Sequence, residues 1–272
     1  MSNVYQYLPG CSLHGTARDY AVSFEKVARH LDLELTELQG WNCCGATAAR
    51  SLNEFLPLVL SARNLAIAEK GAGALLAPCS MCYNNLATAQ HALRDDALRK
   101  RVNSTLRRLD LSYSGEISVT HPLEILMREI GLEGIATKVQ RPLDGLKVVS
   151  YYGCLLTRPR HISIPESDCN PVWLDRLAET VGAVALPFSS KTRCCGGSLQ
   201  LTHPDSAMVA AKRLLDEARE LEAECILVAC PLCHLSLQGK QRTIENRLRT
   251  RYGINVLYFT QLLERAFGGN QW

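Results

Sequence analysis

Short apolar runs alternate with helical stripes from the start of the chain. Val4 to Leu8 is an apolar stretch of strand length that ends at Pro9-Gly10. Tyr20, Phe24, Val27 and Leu31 then recur at helical spacing and predict one buried helix face. Leu33 to Leu38 predicts a second strand, and Gly40-Trp41-Asn42 follows it. Asn53 to Lys70 predicts a helix with Leu58, Val59, Ala62, Leu65 and Ala66 on one face and Gly71 and Gly73 as its stop. Ala74 to Ala77 is a wholly apolar third strand. A long helical region then runs to about Leu109, Ile117 to Val119 begins a fourth strand, and Pro122 to Ile130 predicts a helix that stops at Gly131.

The same order returns after a linker at Thr137 to Leu146. Lys147 to Tyr152 matches the first strand, Trp173 to Val181 the first helix and Ala183 to Phe188 the second strand. Ala207 to Glu220 and Ile226 to Ala229 replay the next helix and strand, and Ile254 to Val256 with Leu262-Leu263-Glu264 and Gly268 replays the ending. The pattern is a tandem duplication, with expected units 1–142 and 143–272. Strands that alternate with helices predict an α/β fold, a small and mainly parallel sheet in each unit.

Cysteines sit at the same places in both copies. Cys11, Cys43-Cys44 and Cys79-Ser80-Met81-Cys82 form the first set; Cys154, Cys194-Cys195 and Cys230-Pro231-Leu232-Cys233 form the second. Each group falls just beyond the carboxyl end of a predicted strand, where parallel sheets build their sites. The stretch between the first cysteine and the vicinal pair is longer in the second copy. That extra length is expected to include Arg160 to Pro171, as a lid, a partner-docking loop or a plain surface elaboration beside the second site.

Composition narrows the chemistry. The 272 residues are 47% hydrophobic and 21% charged, which describes a soluble globular protein rather than a disordered one. Thirty basic against 27 acidic residues give a net charge of +3, spread along the chain, so nothing nominates a nucleic acid. The basic residues from Lys240 to Arg251 read as the wet face of a helix. No run of about 18 apolar residues predicts membrane insertion, and the N-terminus enters a strand without a signal-like segment, so the expected compartment is the cytoplasm. In a reducing compartment a regular cysteine framework points to metal or catalysis rather than to structural disulfides.

A tetrahedral zinc site or an ordinary cubane takes four thiolates, and each set here has five. Neighbouring residues such as Cys43 and Cys44 point apart on extended backbone, so they suit different atoms of a larger cluster better than one ion. A zinc in one half, or in both as a structural scaffold, is the alternative.

Tyr7-Leu8-Pro9-Gly10-Cys11, Trp41-Asn42-Cys43-Cys44-Gly45-Ala46, Ala62-Arg63-Asn64-Leu65, Tyr152-Gly153-Cys154, Arg193-Cys194-Cys195-Gly196-Gly197 and Cys230-Pro231-Leu232-Cys233-His234 resemble the cysteine-rich CCG repeats of the heterodisulfide reductase B subunit. The resemblance implies two noncubane [4Fe-4S] clusters, one on Cys11, Cys43, Cys44, Cys79 and Cys82, the other on Cys154, Cys194, Cys195, Cys230 and Cys233. It further implies an oxidoreductase of sulfur metabolism that cleaves a disulfide between the clusters, or handles a thiol-bound sulfur substrate in the oxidative direction. Partners implied are the ferredoxin-like C subunit and the flavin-containing A subunit of heterodisulfide reductase, since the chain has neither a dinucleotide loop nor a ferredoxin-type cysteine run. CCG repeats also occur in iron–sulfur subunits of glycolate, lactate and thiol:fumarate enzymes, which makes pure electron transfer the second reading. The chain departs from the family pattern at Thr120, where a basic residue is common, and in the loop Asp168-Cys169-Asn170-Pro171.

Other residues are candidates of lesser weight. His234, directly after Cys233, is a candidate proton donor, as are His14 and His161, which follow Cys11 and Cys154; each is also read as a cap or surface residue. His121 reads as structural and Cys225 as a core residue. Cys169 is either a reactive thiol or an ordinary loop residue. Gly45, Gly196 and Gly197 are expected to let the backbone pass close to cofactor sulfur. Tyr151 and Tyr152 alternate on a strand, so only one can face the site.

Overall fold

The computed structural model describes residues 3–164 and 167–269. Two four-stranded sheets account for the strands among them, and every pairing is parallel. In the first, β1 (Val4–Tyr7), β2 (Glu34–Glu37), β3 (Ala74–Leu76) and β4 (Val119–Thr120) lie in the order β2-β1-β3-β4. In the second, β5 (Lys147–Tyr151), β6 (Val184–Ala185), β7 (Cys225–Val228) and β8 (Asn255–Tyr258) lie in the order β6-β5-β7-β8. The expected α/β duplication is therefore what the chain forms. Register repeats as well: Tyr7 stands opposite Leu76 and Tyr151 opposite Val228.

Sequence explains which strands are central. Leu75, Leu76, Val148, Val149, Ile226, Leu227 and Val228 are fully buried, the continuous apolar runs that a sheet covered on both faces requires. The edge strands differ. β2 exposes Glu34 and Thr36, and β6 is two residues long with Val184 exposed.

Helix boundaries depart from expectation where polar side chains intervene. The predicted Asn53–Lys70 helix begins later, at Phe55–Ala68, behind a separate Ala46–Leu52 helix. Extended backbone at Asn53 divides them, and its Oδ1 accepts the Phe55 N–H at 2.7 Å. The region to Leu109 is likewise split into Ser80–Ala92 and Asp96–Leu106, the second capped by Asp95 on the Leu98 N–H. Gly131 is not a final stop. At φ +73° it ends a π-turn, Leu126–Ile130, and the chain resumes as a short helix, Gly131–Ala136.

The halves interlock by exchanging end helices. The Arg18–His30 helix of the first half packs on Phe259–Ala266 at the end of the second, and Trp173–Thr180 packs on Gly131–Ala136. Ser23 bonds Thr260 at 2.6 Å, Lys26 pairs with Glu264 at 2.5 Å, and Tyr20 stacks on Tyr258 with centroids 4.3 Å apart. Such an aromatic pair contributes about 1 kcal/mol beyond its buried area. On the other side, the Arg128 guanidinium lies over Trp173 at 5.3 Å.

His121 stitches the centre. It is fully buried, its Nδ1 accepts the Leu123 N–H at 3.2 Å, and its Nε2–H donates to the Pro78 carbonyl at 2.9 Å. The structural reading of this histidine holds. Burial pushes its pKa down to about 3 from an ordinary 6.5. The unfolded chain thus binds one proton more than the folded chain between those values. Stability from this group is complete above about pH 6.5 and is lost as pH falls toward 3, by about 2–3 kcal/mol at pH 4.5. Urea unfolding at several pH values between 7.5 and 4.5 should show this slope in the parent chain and a shallower one in His121→Gln; equal slopes would assign the acid sensitivity to other groups.

Candidate metal centre

Each sheet reverses direction between its first and third strands, β1 and β3 or β5 and β7. Sites in open parallel sheets form at such a switch point, outside the carboxyl ends. Cys11 lies in a short helix, Gly10–His14, that leaves β1. Cys79 is the N-cap of Ser80–Ala92, and Cys82 sits in that helix's first turn. Cys43 and Cys44 arrive from the loop after β2. In the second half Cys154 follows β5, Cys230 caps Pro231–His234, and Cys194-Cys195 end the loop after β6.

Within each set the thiols divide two and three. Cys11 and Cys43 form an exposed outer pair, Sγ to Sγ 3.8 Å, while Cys44, Cys79 and Cys82 form a buried inner trio linked through Cys82. Cys154 and Cys194 form the second outer pair; Cys195, Cys230 and Cys233 form the second inner trio, with Cys195 and Cys233 at 3.5 Å. The vicinal cysteines thus serve different subgroups, as divergent side chains on neighbouring residues must.

Two thiols per half have their pKa lowered by their neighbours. The Cys43 and Cys82 thiols, with the Ala46 amide, pull Cys44 down to about 3 against burial. Cys79 is lowered mainly by Cys82 and then by amides of the helix it caps. Cys194 is pulled to about 6 by the Cys154 thiol, helped by the Gly196 amide and the Arg158 charge. Cys195 is lowered by Cys233, the Gly197 amide and the Tyr151 hydroxyl. Their partners Cys43, Cys82, Cys154 and Cys233 are raised, because each hands its hydrogen bond to a neighbour.

Backbone shape keeps these sulfurs in reach. Gly196 and Gly197 N–H groups donate to Cys194 and Cys195 Sγ at 3.3 and 3.4 Å. A Cβ on Gly197 would stand 3.2 Å from Cys195 Sγ, so this glycine does open room beside a sulfur. Gly45 and Gly196 have another reason. Their φ values are +86° and +72°, and a Cβ would meet Ala49 or the Ala207 backbone. Sequence reasoning passed over Gly10 and Gly153, whose added Cβ would stand 2.9 Å from Cys82 Sγ and 3.0 Å from Cys233 Sγ. The signal was present in the Gly-Cys pair that both halves repeat.

The loops before the vicinal pairs are clamped by different chemistry. Arg63 Nη1 donates to the Gly40 carbonyl and to Asn42 Oδ1, while Asn64 exchanges two hydrogen bonds with the Asn42 backbone. In the second half, Glu217 accepts from Ser189 and Ser190, and the buried ammonium of Lys191 pairs with Asp175. The Lys191 carbonyl then receives the Tyr152 and Gly153 N–H groups.

The remaining candidates fall apart in space. Tyr151 faces the site and bonds the Arg193 carbonyl at 2.6 Å, whereas Tyr152 turns to the Leu174 N–H. His234 is half-buried and stacks on Tyr258 at 4.6 Å. His14 is exposed beside Trp41 and Glu37, and the His161 ring lies tilted against His91 with centroids 4.0 Å apart. Cys225 is a core residue of β7, and burial pushes its thiol up to about 12. Cys169 is exposed. The predicted insertion includes residues 165 and 166, which lie outside the described residues. Its described beginning is a strap onto the other half: Tyr83 donates to the Ile162 carbonyl, and Asn84 donates to the carbonyls of Leu155 and Arg158.

An all-thiol donor set suits zinc or iron–sulfur groups. Among the described residues no three metal-binding side chains converge on one ion-sized point. Five thiols spread as two and three, with amides aimed at their sulfurs, fit a group of several metal atoms.

The cysteine-rich CCG domain matches the chain twice, over residues 5–87 and 148–238. A relative from Wolinella succinogenes, the 8-methylmenaquinol:fumarate reductase membrane anchor subunit, is 33% identical over 268 residues, 98% of this chain and 93% of its own. The B subunit of the ferredoxin/F(420)H(2)-dependent CoB-CoM heterodisulfide reductase of Methanosarcina acetivorans is 33% identical over 243 residues, 88% of this chain and 80% of its own. In fold, the chain resembles the crystal structure of a hypothetical protein from Helicobacter pylori, with a TM-score of 0.78 at 14% identity; it spans half the length of that protein.

Two outcomes follow from this geometry. In metal-free, reduced protein, iodoacetamide should modify exposed Cys194 with a midpoint near pH 6 and leave buried Cys230 and Cys233 unlabelled, as read by peptide mass spectrometry. Gly153→Ala should cost about 1–2 kcal/mol from its left-handed backbone and more from the Cys233 contact, whereas Gly40→Ala, at φ +72° in open space, should cost the backbone part alone.

Proposed function

The chain belongs to the cysteine-rich CCG-domain family that includes the B subunit of heterodisulfide reductase, and we propose that it is the sulfur-handling subunit of an oxidoreductase. Its substrate is a disulfide, or a thiol-bound sulfur compound taken in the oxidative direction. The observation that carries this reading is the doubled set of five thiols with the strap after Cys154 lying on the helix that Cys79 caps, so that both sets adjoin. The units are taken as 1–142 and 143–272.

Cys11, Cys43, Cys44, Cys79 and Cys82 would hold one noncubane [4Fe-4S] cluster, and Cys154, Cys194, Cys195, Cys230 and Cys233 the other. When bound, these groups supply one-electron chemistry, which in two copies matches the two electrons that an S–S bond takes up. The chain's own residues set the conditions. Thiolate character at Cys44, Cys79, Cys194 and Cys195 readies each set for metal. The outer pairs, with Cys11, Cys43 and Cys194 exposed and Cys154 half-buried, leave one side of each site open to substrate, while the inner trios are buried. Arg158, whose charge acts on Cys194, offers an anionic substrate a counter-ion at that edge. Burial lowers the His234 pKa and so favours the neutral ring, which carries one proton to hold or pass. Electrons reach the chain from a ferredoxin-like partner of the heterodisulfide reductase C type, behind which stands a flavin protein of the A type.

A second reading is electron transfer alone, within a complex of another kind. The Wolinella relative, whose name places it with a fumarate reductase, favours it. Among the described residues no helix is long and apolar enough to cross a membrane.

Protein purified without oxygen should contain about eight irons and eight sulfides per chain. Chemically reduced, it should cleave disulfides unaided; inertness in that assay would favour the electron-transfer reading. Cys195→Ser should abolish turnover and remove only the second half's spectroscopic signal, and retained turnover would remove the two-cluster reading. Zinc without iron would leave a structural scaffold.

A further inference from the structure

Three aromatic rings lie face to face across the junction of the halves. Tyr20, from the Arg18–His30 helix, stacks on Tyr258 at 4.3 Å and 7°, and Tyr258 stacks on His234 at 4.6 Å and 18°. His234 directly follows Cys233, so the stack ends at a residue of the second thiol set. Tyr20 and Tyr258 are 0% and 1% exposed, and neither hydroxyl has a hydrogen-bond partner among the described residues. Buried polar groups without partners are rare, and two at one junction call for an occupant.

The surroundings identify it. Both phenols stand within electrostatic reach of Cys79 and of Cys230, the leading cysteines of the two CxxC turns. Those turns abut: Ser80 Oγ donates to the Ala229 carbonyl at 2.8 Å, and His121 holds Pro78. No carboxylate, carbonyl or thiol among the described residues accepts a hydrogen bond from either hydroxyl, and Asp19 acts on Tyr258 only through its charge. An acceptor on this side would come with a group bound beside Cys79 and Cys230, as sulfide.

We propose that Tyr20 and Tyr258, one from each half, are hydrogen-bond donors to sulfide of the groups that Cys79 and Cys230 hold, at the inner face of the two sites. The inference rests on the iron–sulfur reading and adds residues to it. A donor to cluster sulfur stabilises the reduced, more negative state and so raises the reduction potential. Because each phenol lies near a cysteine of both sets, one residue tunes both sites together. Tyr20 and Tyr258 are positioning residues in this scheme; they touch no reacting bond.

The test replaces each tyrosine by Phe, which keeps the stack and removes the hydroxyl. Tyr20→Phe, Tyr258→Phe and the double variant are purified without oxygen, matched to the parent in iron and sulfide, and titrated potentiometrically with EPR detection. Midpoints should move to more negative potential in each single variant and further in the double one. Unchanged midpoints in iron-loaded variants would overturn the inference and leave the iron–sulfur reading standing. A parent protein that binds no iron would remove both. In metal-free protein the Phe variants should unfold at the same urea concentration as the parent or higher, since an unpartnered hydroxyl contributes nothing there. Failure of the metal-free variants to fold would show a protein acceptor for the hydroxyls and overturn the inference as well.

Discussion

A parallel strand cannot be followed directly by its neighbour, because the chain must first return to the starting edge. Every loop that leaves a strand therefore leaves from the same side, and each return runs through a helix. In this protein the constraint acts twice, with the same strand order. It is what brings Cys11, Cys43-Cys44 and Cys79-Cys82, far apart in the chain, to one edge, and their counterparts to another. The two-and-three division of thiols follows from it. The two CxxC turns at the ends of β3 and β7 are buried together with the second cysteine of each vicinal pair, whereas the first cysteine of each pair and Cys11 are exposed.

The second organising contact is the exchange of end helices. Because Arg18–His30 seats against Phe259–Ala266, the two CxxC turns meet at the middle, where Ser80 reaches Ala229. The halves are equivalent in plan but not in detail. Arg63 and Asn64 hold the first vicinal pair through hydrogen bonds near the surface, and Glu217 with the buried Lys191–Asp175 pair hold the second. Among the described residues the strap follows Cys154 without a counterpart after Cys11. Two sites of common origin thus sit in unlike frames, which is a physical basis for unlike properties.

Much of this was legible in the sequence. The duplication, the strands and the thiol sets appear as repeated spacing, and fully buried strands announce themselves by unbroken apolar runs such as Ile226 to Val228. Local polar competition was harder to read: Asn53 divides a helix that hydrophobic spacing alone would continue. Residues that act through the junction of the halves were not legible. Tyr20 reads as one member of an apolar stripe, and only the packing of a helix from the far end of the chain shows that its hydroxyl is isolated. Gly10 and Gly153 were visible as residues, but their closeness to Cys82 and Cys233 is a long-range fact.

The helix exchange also bears on how the chain is made. The apolar face of Arg18–His30, with Tyr20, Phe24 and Val27, finds its cover in Phe259–Ala266, near the other end of the chain. At a synthesis rate of about 5–20 residues per second, roughly ten to fifty seconds separate the appearance of the two helices. Throughout that interval the nascent first half carries an open hydrophobic surface and a set of uncovered thiols. Completion of the first half waits for Phe259–Ala266 to leave the ribosome, so the unit that folds in the cell takes in both copies rather than either one alone.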